Sequence, residues 1–296
     1  MRTATSLQTF RHNNAVYSVA FSNSGAQLAS GSLDKTIKLW SLKEGTEISQ
    51  LKGHREAVCS LAYLPGDETL LSASLDKTLR LWDVKSGELL STLSGHQAYL
   101  TCMAVSNDGA LAVSGSQDKD LIVWDLANRS QLALLSGHSD FVDSVAISPD
   151  GKLIASAGHD QVIRLWDIEQ RKEIQQLGPH SSPIWSLIFS PDGKTIAAGD
   201  DDRVIRLWNL ETATLRGEFA GHTGTVKSLI YSTDGSLLAS GSSDSTIRLW
   251  NVQSGDTESV LSGHRNTIYD LAFSPDDKRL ASASFDRSLR LWDLSR

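Results

Sequence analysis

Residues 53–83 read GHREAVCSLAYLPGDETLLSASLDKTLRLWD, and this stretch contains the pattern that decides the fold. Its apolar and β-forming residues fall into three short runs, Ala57–Leu64, Thr69–Ser74 and Leu79–Val84, and a fourth run, Leu89–Leu93, follows. Turn-forming residues such as the Pro-Gly-Asp-Glu at 65–68 separate the runs. The unit therefore predicts four short β-strands joined by tight turns, and it shows no long helical period.

The unit recurs through the whole chain with a period of 42 residues. Seven of the eight tryptophans keep this spacing: Trp40, Trp82, Trp124, Trp166, Trp208, Trp250 and Trp292. The opening histidines keep it too: His12, His54, His96, His138, His180, His222 and His264. So do the aspartates of one turn: Asp34, Asp76, Asp118, Asp160, Asp202, Asp244 and Asp286. Seven four-stranded units predict an all-β, seven-bladed β-propeller of antiparallel blades, because radial closure hides most sheet edges.

The residues at the two ends of each unit carry a family resemblance. Gly53-His54 opens the second unit and Trp82-Asp83 ends its third strand, and Gly137-His138 and Trp166-Asp167 do the same in the fourth. These pairs resemble the WD-repeat family. The resemblance is specific, because it rests on seven aligned copies that cover nearly the whole chain.

The resemblance implies a buried, hydrogen-bonded set of four side chains in each blade. In the second unit these are His54, Ser72, Trp82 and Asp76, although Ser74 is an alternative for the serine. A buried indole N–H and a buried imidazole each need a partner, which the set provides. The corresponding residues elsewhere include His96, Asp118, Trp124, His138, Asp160, Trp166, His222, Asp244, Trp250, His264, Asp286 and Trp292.

Serine, histidine and aspartate together also suggest a hydrolase triad. Seven copies at seven equivalent positions count against that interpretation, because an active site is singular whereas structural residues repeat with the architecture. We therefore interpret the repeated set as structural and expect no catalytic residue in it.

The ring needs a strand from the chain's beginning to close. The last unit ends at Leu294-Ser295-Arg296, directly after its third strand, and one spare strand, about Ser6–Phe10, precedes the first unit. In the family that this chain resembles, the N-terminal strand completes the final blade. We therefore expect one domain, residues 1–296, with Ser6–Phe10 as the fourth strand of blade 7.

The fifth unit departs most from the repeat. It has alanine, Ala198, where the other units have serine, and it reads Asp200-Asp201-Asp202 at its tight turn. We expect an incomplete hydrogen-bonded set around His180 and a blade less stable than its neighbours.

The resemblance to the WD-repeat family implies that three positions in each unit lie exposed on the face that carries the histidine loops and the aspartate turns, which we call the upper face. They are the third and fifth residues after the histidine and the residue before the turn aspartate. Partner-binding candidates at these positions are Tyr17, Leu33, Leu75, Tyr99, Phe141, Asp143, His159, Trp185, Asp201, Lys227, Tyr269 and Phe285. Clusters of exposed aromatic residues are typical of binding surfaces.

The candidates fall into two groups. Five form an apolar and aromatic group: Tyr17, Leu33, Leu75, Tyr269 and Phe285. Six form an aromatic and acidic group: Tyr99, Phe141, Asp143, His159, Trp185 and Asp201. The acidic group suits a lysine or arginine of a partner. We interpret Lys227 as a solvated lysine, with a like-charge gate as the alternative, and the turns of the opposite face as solubilising loops.

Composition limits the classes of partner. The net charge of −7 argues against a nucleic-acid surface. Only two cysteines, Cys59 and Cys102, are present, and they suggest free thiols in a reducing compartment, hence the cytoplasm. No apolar run is long enough to span a membrane, and the N-terminus lacks the apolar stretch of a signal peptide. We expect a monomer that needs no cofactor and no metal.

The sequence favours a protein-interaction scaffold rather than an enzyme, binding a peptide or protein on the upper face. Alternatives are a regulatory domain of a larger polypeptide, a glycan or small-molecule binder that uses the aromatic rim, and an enzyme that uses the central channel. Only Asp143, His159 and Asp201 offer candidates for catalysis or metal binding, and their spacing matches no known ligand pattern.

Overall fold

A computed structural model describes residues 6–295 of the chain. In this range the polypeptide forms twenty-eight β-strands, grouped into seven four-stranded antiparallel sheets. The all-β, seven-bladed propeller predicted from the repeat is confirmed. Between residues 6 and 295 there is no helix long and apolar enough to cross a membrane.

The first four blades have the following strands. Blade 1 contains β2 (Val16–Phe21), β3 (Gln27–Ser32), β4 (Thr36–Ser41) and β5 (Thr46–Lys52). Blade 2 contains β6 (Val58–Tyr63), β7 (Thr69–Ser74), β8 (Thr78–Asp83) and β9 (Leu89–Ser94). Blade 3 contains β10 (Leu100–Val105), β11 (Leu111–Ser116), β12 (Asp120–Asp125) and β13 (Ser130–Ser136). Blade 4 contains β14 (Val142–Ile147), β15 (Leu153–Gly158), β16 (Ile163–Asp167) and β17 (Lys172–Leu177).

The last three blades complete the ring. Blade 5 contains β18 (Ile184–Phe189), β19 (Thr195–Asp200), β20 (Val204–Asn209) and β21 (Thr214–Ala220). Blade 6 contains β22 (Val226–Tyr231), β23 (Leu237–Ser242), β24 (Thr246–Asn251) and β25 (Thr257–Ser262). Blade 7 contains β26 (Ile268–Phe273), β27 (Arg279–Ser284), β28 (Ser288–Asp293) and the N-terminal strand β1 (Ser6–Arg11).

The two ends of the chain meet in blade 7. Strand β1 pairs antiparallel with β28, and Phe10 lies opposite Leu289. The Phe10 side chain is buried, and its ring centroid is 5.0 Å from that of Trp40 in blade 1. The expectation that an N-terminal strand completes the last blade is therefore confirmed, and Phe10 also links that blade to the next.

The hydrophobic core lies between blades rather than within one. In the core between blades 1 and 2, Ile37 and Leu51 pack with Val58, Leu70 and Trp82. The second strand of each blade is covered on both faces, which explains its small residues, such as Leu-Ala-Ser-Gly-Ser in β3. The outer strands, such as β9, bury one residue in six and carry the exposed edge of each blade. The packing fixes the radial positions of the blades and leaves the loops of both faces to vary.

Candidate functional site

The repeated polar set holds the upper loops of each blade together. In blade 2 the Trp82 indole Nε1–H donates to Ser72 Oγ over 2.9 Å, and Ser72 Oγ lies 2.7 Å from His54 Nε2. His54 Nδ1 lies 2.8 Å from Asp76 Oδ2. This geometry fits a neutral imidazole with its proton on Nδ1, a serine hydroxyl that donates to Nε2, and a carboxylate that accepts. The serine of the set is Ser72.

Ser74, the alternative serine, has a different role. Its hydroxyl donates to the Glu56 carbonyl over 3.1 Å and accepts the Asp76 N–H. Ser74 therefore joins the turn to the preceding loop, outside the chain of bonds that satisfies the indole and the imidazole.

Asp76 connects two loops. One carboxylate oxygen accepts hydrogen bonds from His54 and the Arg55 N–H, and the other accepts the N–H and hydroxyl of Thr78. Burial raises the pKa of Asp76, but the hydrogen bonds from His54 and Thr78 outweigh it and hold the pKa well below its usual range. Burial also lowers the pKa of His54, which favours the neutral imidazole.

The same set occurs in six blades, with the histidine Nε2 2.7–2.9 Å from the serine Oγ. The indole N–H donates to that serine over 2.8–2.9 Å in each. The histidines, aspartates and tryptophans assigned to these sets from the sequence all take these positions. They are buried or partly buried and hydrogen-bond one another, so they are not available to bind a ligand.

Blade 5 satisfies the same groups with a different arrangement. Without a hydroxyl on Ala198, the Trp208 indole N–H donates directly to His180 Nε2 over 3.1 Å. His180 Nδ1 lies 2.9 Å from Asp200 rather than bonding Asp202, and Arg206 binds both of these aspartates. The expectation of an incomplete set around His180 was wrong, because removal of the serine lets the two rings meet directly.

The variable positions converge on the upper mouth of the central channel. The fifth residue after the histidine of every blade lines one cavity of about 260 Å³, together with Leu75 and Gln117. We call these seven residues the mouth ring: Tyr17, Cys59, Thr101, Asp143, Trp185, Lys227 and Tyr269. The fourth residue after each histidine, by contrast, is a buried core residue in every blade.

One side of the mouth ring is aromatic. The rings of Tyr17 and Tyr269 meet edge to face at 4.9 Å between centroids, and the Phe285 ring lies 6.2 Å from that of Tyr269. Phe285 is 42% exposed. Leu75 lines the cavity beside these rings, whereas Leu33 is partly buried outside the lining. The apolar group expected from the sequence thus contains a contiguous aromatic cluster of three rings.

The opposite side combines aromatic and charged residues. His159 Nδ1 lies 2.6 Å from Asp143 Oδ2, and the His159 ring packs between Phe141 and Trp185 at 5.5 and 5.2 Å. The Trp185 indole donates to Asp201 over 2.8 Å. Burial raises the pKa of Asp143, although His159 and Lys227 both favour its ionised form. Tyr99 is 47% exposed and does not line the cavity.

Lys227 is not the solvated lysine that we expected. Its Nζ lies over the Trp185 ring, 3.0 Å from the centroid, in a cation–π contact. Burial lowers its pKa to about 8, against the opposing attraction of Asp201 and Asp143. The side chain extends into the channel mouth because the indole face and the two carboxylates attract the ammonium group. The protein's own lysine thus covers the aromatic face that the sequence suggested for a partner's cation.

The three residues considered for catalysis or metal binding do not form a common centre. His159 bonds Asp143, whereas Asp201 accepts hydrogen bonds from Trp185 and the Thr225 hydroxyl. Among residues 6–295 no group of three or more histidine, cysteine, aspartate or glutamate side chains could hold a metal ion.

Three residues of the cavity were not on the candidate list: Cys59, Thr101 and Gln117. They occupy the same repeat positions as the candidates, but their side chains are neither aromatic nor charged. The offset from the histidine was therefore the better guide, and residue type alone missed them.

Comparison with known families agrees with the geometry. The model of the WD domain, G-beta repeat, matches seven segments: 4–41, 45–83, 87–125, 129–167, 171–209, 213–251 and 255–293. Among curated proteins, none matches the chain significantly. The seven matches cover most of the chain, and each contains three complete strands of one blade. The chain therefore belongs to the WD domain, G-beta repeat family.

Proposed function

We propose that this protein is an interaction scaffold that binds a peptide or protein partner on its upper face, over the mouth ring. Propellers of this family are generally interaction scaffolds rather than enzymes. One observation carries the proposal for this face. The residue type at the fifth position after the histidine varies from blade to blade, and these seven residues line one cavity. A rigid ring loses little conformational entropy on binding, which suits recognition.

The two sides of the mouth ring suggest what the partner offers. An apolar or aromatic side chain fits against Tyr17, Tyr269 and Phe285, because these rings form a partly exposed cluster beside the cavity. A basic side chain fits at Asp201, which is exposed and has one carboxylate oxygen outside its bonds to Trp185 and Thr225. We place the partner's cation there rather than over Trp185, because Lys227 covers that ring.

The remaining expectations form part of the same proposal. We propose a monomer, because the chain's own N-terminal strand completes blade 7 without a second copy. We propose a cytoplasmic location, since Cys59 and Cys102 are free thiols.

The other candidate functions have less support. An enzyme that used Cys59 as its nucleophile would need a thiolate, but burial raises the pKa of this thiol to about 12, which keeps it protonated. A glycan binder would need a free aromatic face for stacking. Lys227 covers the Trp185 face, and Tyr17 presents its ring to Tyr269 edge to face.

Affinity capture with matched variants tests the proposal. We expect proteins that bind the wild type to be lost from Tyr269→Ala/Phe285→Ala and from Trp185→Ala, because these changes remove the two sides of the mouth ring. Leu134→Ala is the control, since Leu134 is a 54% exposed apolar residue on the outer strand β13, far from the channel. Retention of the same proteins by all three variants would exclude the upper face.

Charge at Asp201 gives the finer test. We expect Asp201→Lys to weaken binding of the partner selectively. We also expect the wild-type protein to bind the partner less tightly as the salt concentration rises. Binding that is unchanged by Asp201→Lys would show that the partner does not place a basic group at this position.

A further inference from the structure

A second set of equivalent residues lies on the innermost strand of each blade, one position after the mouth ring. Its members are Ser18, Ser60, Cys102, Ser144, Ser186, Ser228 and Asp270. The serine hydroxyls connect blades: Ser18 accepts the Leu61 N–H over 3.1 Å, and Ser144 accepts the Leu187 N–H over 2.9 Å. Six blades thus use a small neutral or thiol side chain here, and blade 7 uses a carboxylate.

Asp270 makes the same connection across the joint where the ring closes. Its Oδ2 accepts the Val19 N–H and the Ser18 hydroxyl of blade 1, each over 2.9 Å, and its Oδ1 accepts the Leu271 N–H. A serine in this position bonds the neighbouring blade in other junctions, so the carboxylate is not needed for that bond. What it adds is a negative charge on the innermost strand.

Within residues 6–295 that charge has no cationic partner. Among the described residues, no lysine, arginine or histidine forms an ion pair with Asp270. Burial raises the pKa of Asp270 to about 6, although hydrogen bonds from Val19 and Ser18 oppose the shift. The carboxylate is therefore ionised at neutral pH but costs free energy there.

Asp270 faces a cavity at the lower mouth of the channel. The cavity has a volume of about 490 Å³, and its walls are largely apolar, including Phe21, Tyr63, Met103 and Phe273. An apolar cavity with a single, partly buried carboxylate suits an organic cation, because the walls hold the hydrocarbon part and the carboxylate holds the head group.

The turns of the lower rim carry charges of both signs. Five turns carry an aspartate that accepts a hydrogen bond, 2.5–2.7 Å long, from the serine two residues before it: Asp108, Asp150, Asp192, Asp234 and Asp276. The serine hydrogen bonds lower the pKa of all five carboxyls, so they are ionised near neutral pH. Lysines lie two residues after three of these aspartates, Lys152, Lys194 and Lys278, and offset their charge. The attraction for a cation in the cavity therefore rests on Asp270, the one charged side chain among the described residues of its lining.

We propose that the lower mouth of the channel is a second binding site, which takes an alkylammonium group with Asp270 as its counter-ion. The group can belong to a free amine or to a lysine side chain, since both present the same head group on a hydrocarbon chain. The site is on the face opposite the mouth ring and does not depend on the function proposed there.

Titration with n-butylammonium tests the site on the intact protein. We expect saturable binding at pH 7.5, measured by calorimetry or by chemical-shift changes, and about tenfold or greater weakening in Asp270→Ser and Asp270→Asn. Asp270→Ser introduces the residue found at this position in five other blades, so the ring should still fold. Asp108→Asn is the matched control, because it removes a rim charge outside the cavity and should change binding less than twofold.

The pH dependence supplies an independent measurement. At pH 5 the wild-type carboxyl is largely protonated, so binding should weaken by about tenfold, while the probe stays charged. The titratable or charged groups on the strands packed against β26, and on β26 itself, are Tyr17, Lys227, Tyr231, Tyr269 and Arg279. Burial raises the pKa of the three tyrosines, arginine stays charged, and Lys227, with a pKa of about 8, stays largely protonated up to pH 7. Binding at pH 5 is therefore compared with binding at pH 7.

A pair of capped peptides separates the two sources of the ammonium group. A tripeptide with a central lysine that binds as tightly as n-butylammonium, while its norleucine counterpart does not, assigns the site to a lysine side chain. Binding of n-butylammonium alone assigns it to a free amine. No binding to the wild type, or equal binding to the wild type and both Asp270 variants, would overturn the proposal.

Discussion

Blades 2 and 5 keep the same tryptophan and histidine but connect them differently. In blade 2 a serine hydroxyl stands between the indole of Trp82 and the imidazole of His54, and the turn carboxylate of Asp76 holds the imidazole. In blade 5 the two rings bond directly, and the carboxylate that holds His180 is Asp200, two residues earlier.

The difference shows that the fold requires satisfied donors and acceptors rather than particular residues. Loss of one hydroxyl shortens the connection between the rings, and a buried carboxylate on strand β19 then replaces the turn aspartate. Asp202 turns to Arg206 and the Ser181 hydroxyl instead. A buried donor left without a partner costs more than a changed bond gains, so the rearrangement satisfies every member of the set.

The carboxylates should give the largest effect. We expect Asp76→Ala and Asp200→Ala to lower the free energy of unfolding by about 3 kcal/mol each, because each leaves a buried histidine N–H unpaired. Ser74 occupies in blade 2 the position of Asp200, and Asp202 occupies in blade 5 the position of Asp76. Changing either Ser74 or Asp202 to alanine should lower the free energy of unfolding by only about 1 kcal/mol. Urea unfolding of the four variants provides the measurement, and a larger loss from Asp202→Ala than from Asp200→Ala would contradict the arrangement in blade 5.

At the serine position, removing a hydroxyl from blade 2 and adding one to blade 5 should each destabilise the protein. We expect Ser72→Ala to cost about 2 kcal/mol. Trp82 and His54 both lose a partner, and blade 2 has Ser74, not a carboxylate, at the position where Asp200 holds His180 in blade 5. Ala198→Ser should also destabilise, by about 1 kcal/mol or more, because Trp208 Nε1 and His180 Nε2 are already 3.1 Å apart and leave no room for a hydroxyl between them. A stabilised Ala198→Ser variant would mean that blade 5 returns easily to the arrangement of blade 2.

The junction between blades 7 and 1 also departs from the repeat, because Asp270 stands where five other blades have serine. Folding raises the pKa of Asp270 to about 6, so the stability it contributes is present below the unfolded pKa of about 4 and is lost as pH rises through 6. We therefore expect Asp270→Ser to be more stable than the wild type by about 1–2 kcal/mol at pH 8 and to lose this advantage near pH 4. Thermal unfolding at the two pH values measures the difference, and an advantage that is the same at both would show that the charge is not its cause.

Lys227 should give the smallest change in stability. Lys227→Met removes a cation–π contact of about 1 kcal/mol but also removes a desolvated ammonium, so we expect little net change. The clearer measurement is indole fluorescence. In the wild type it should titrate with a midpoint near pH 8, as the ammonium over Trp185 loses its proton. The transition should be absent from Lys227→Met and from Trp185→Phe; its persistence in either would place the titrating group elsewhere.

Much of the fold followed from the period of the repeat. The seven tryptophans and histidines at one spacing predicted the number of blades, and the spare strand near Ser6–Phe10 predicted how the ring closes. Blade 5 was harder, because a missing serine in the sequence looks like a missing bond. Only the distance between Trp208 Nε1 and His180 Nε2 reveals that the two side chains bond each other directly.

The upper face could be predicted by position but not by chemistry. The offset from the histidine identified the residues of the mouth ring, since equivalent residues of a closed ring face the same channel. It did not reveal that Lys227 of blade 6 would cover Trp185 of blade 5, because side-chain contacts between blades depend on how the blades pack. The lower cavity at Asp270 was missed for the same reason, although the break in this set of serines was visible in the sequence.

By itself, the sequence determined the number of blades, their strands and the place where the ring closes, because these depend on spacing along the chain. The tertiary structure decided which groups bond one another. His54 bonds Ser72 rather than Ser74 in blade 2, His180 bonds Asp200 rather than Asp202 in blade 5, and Lys227 lies on Trp185. Hydrogen bonds and ion pairs depend on distances of a few ångströms across neighbouring strands and blades. The spacing of residues along the chain does not specify those distances, so only the folded ring could.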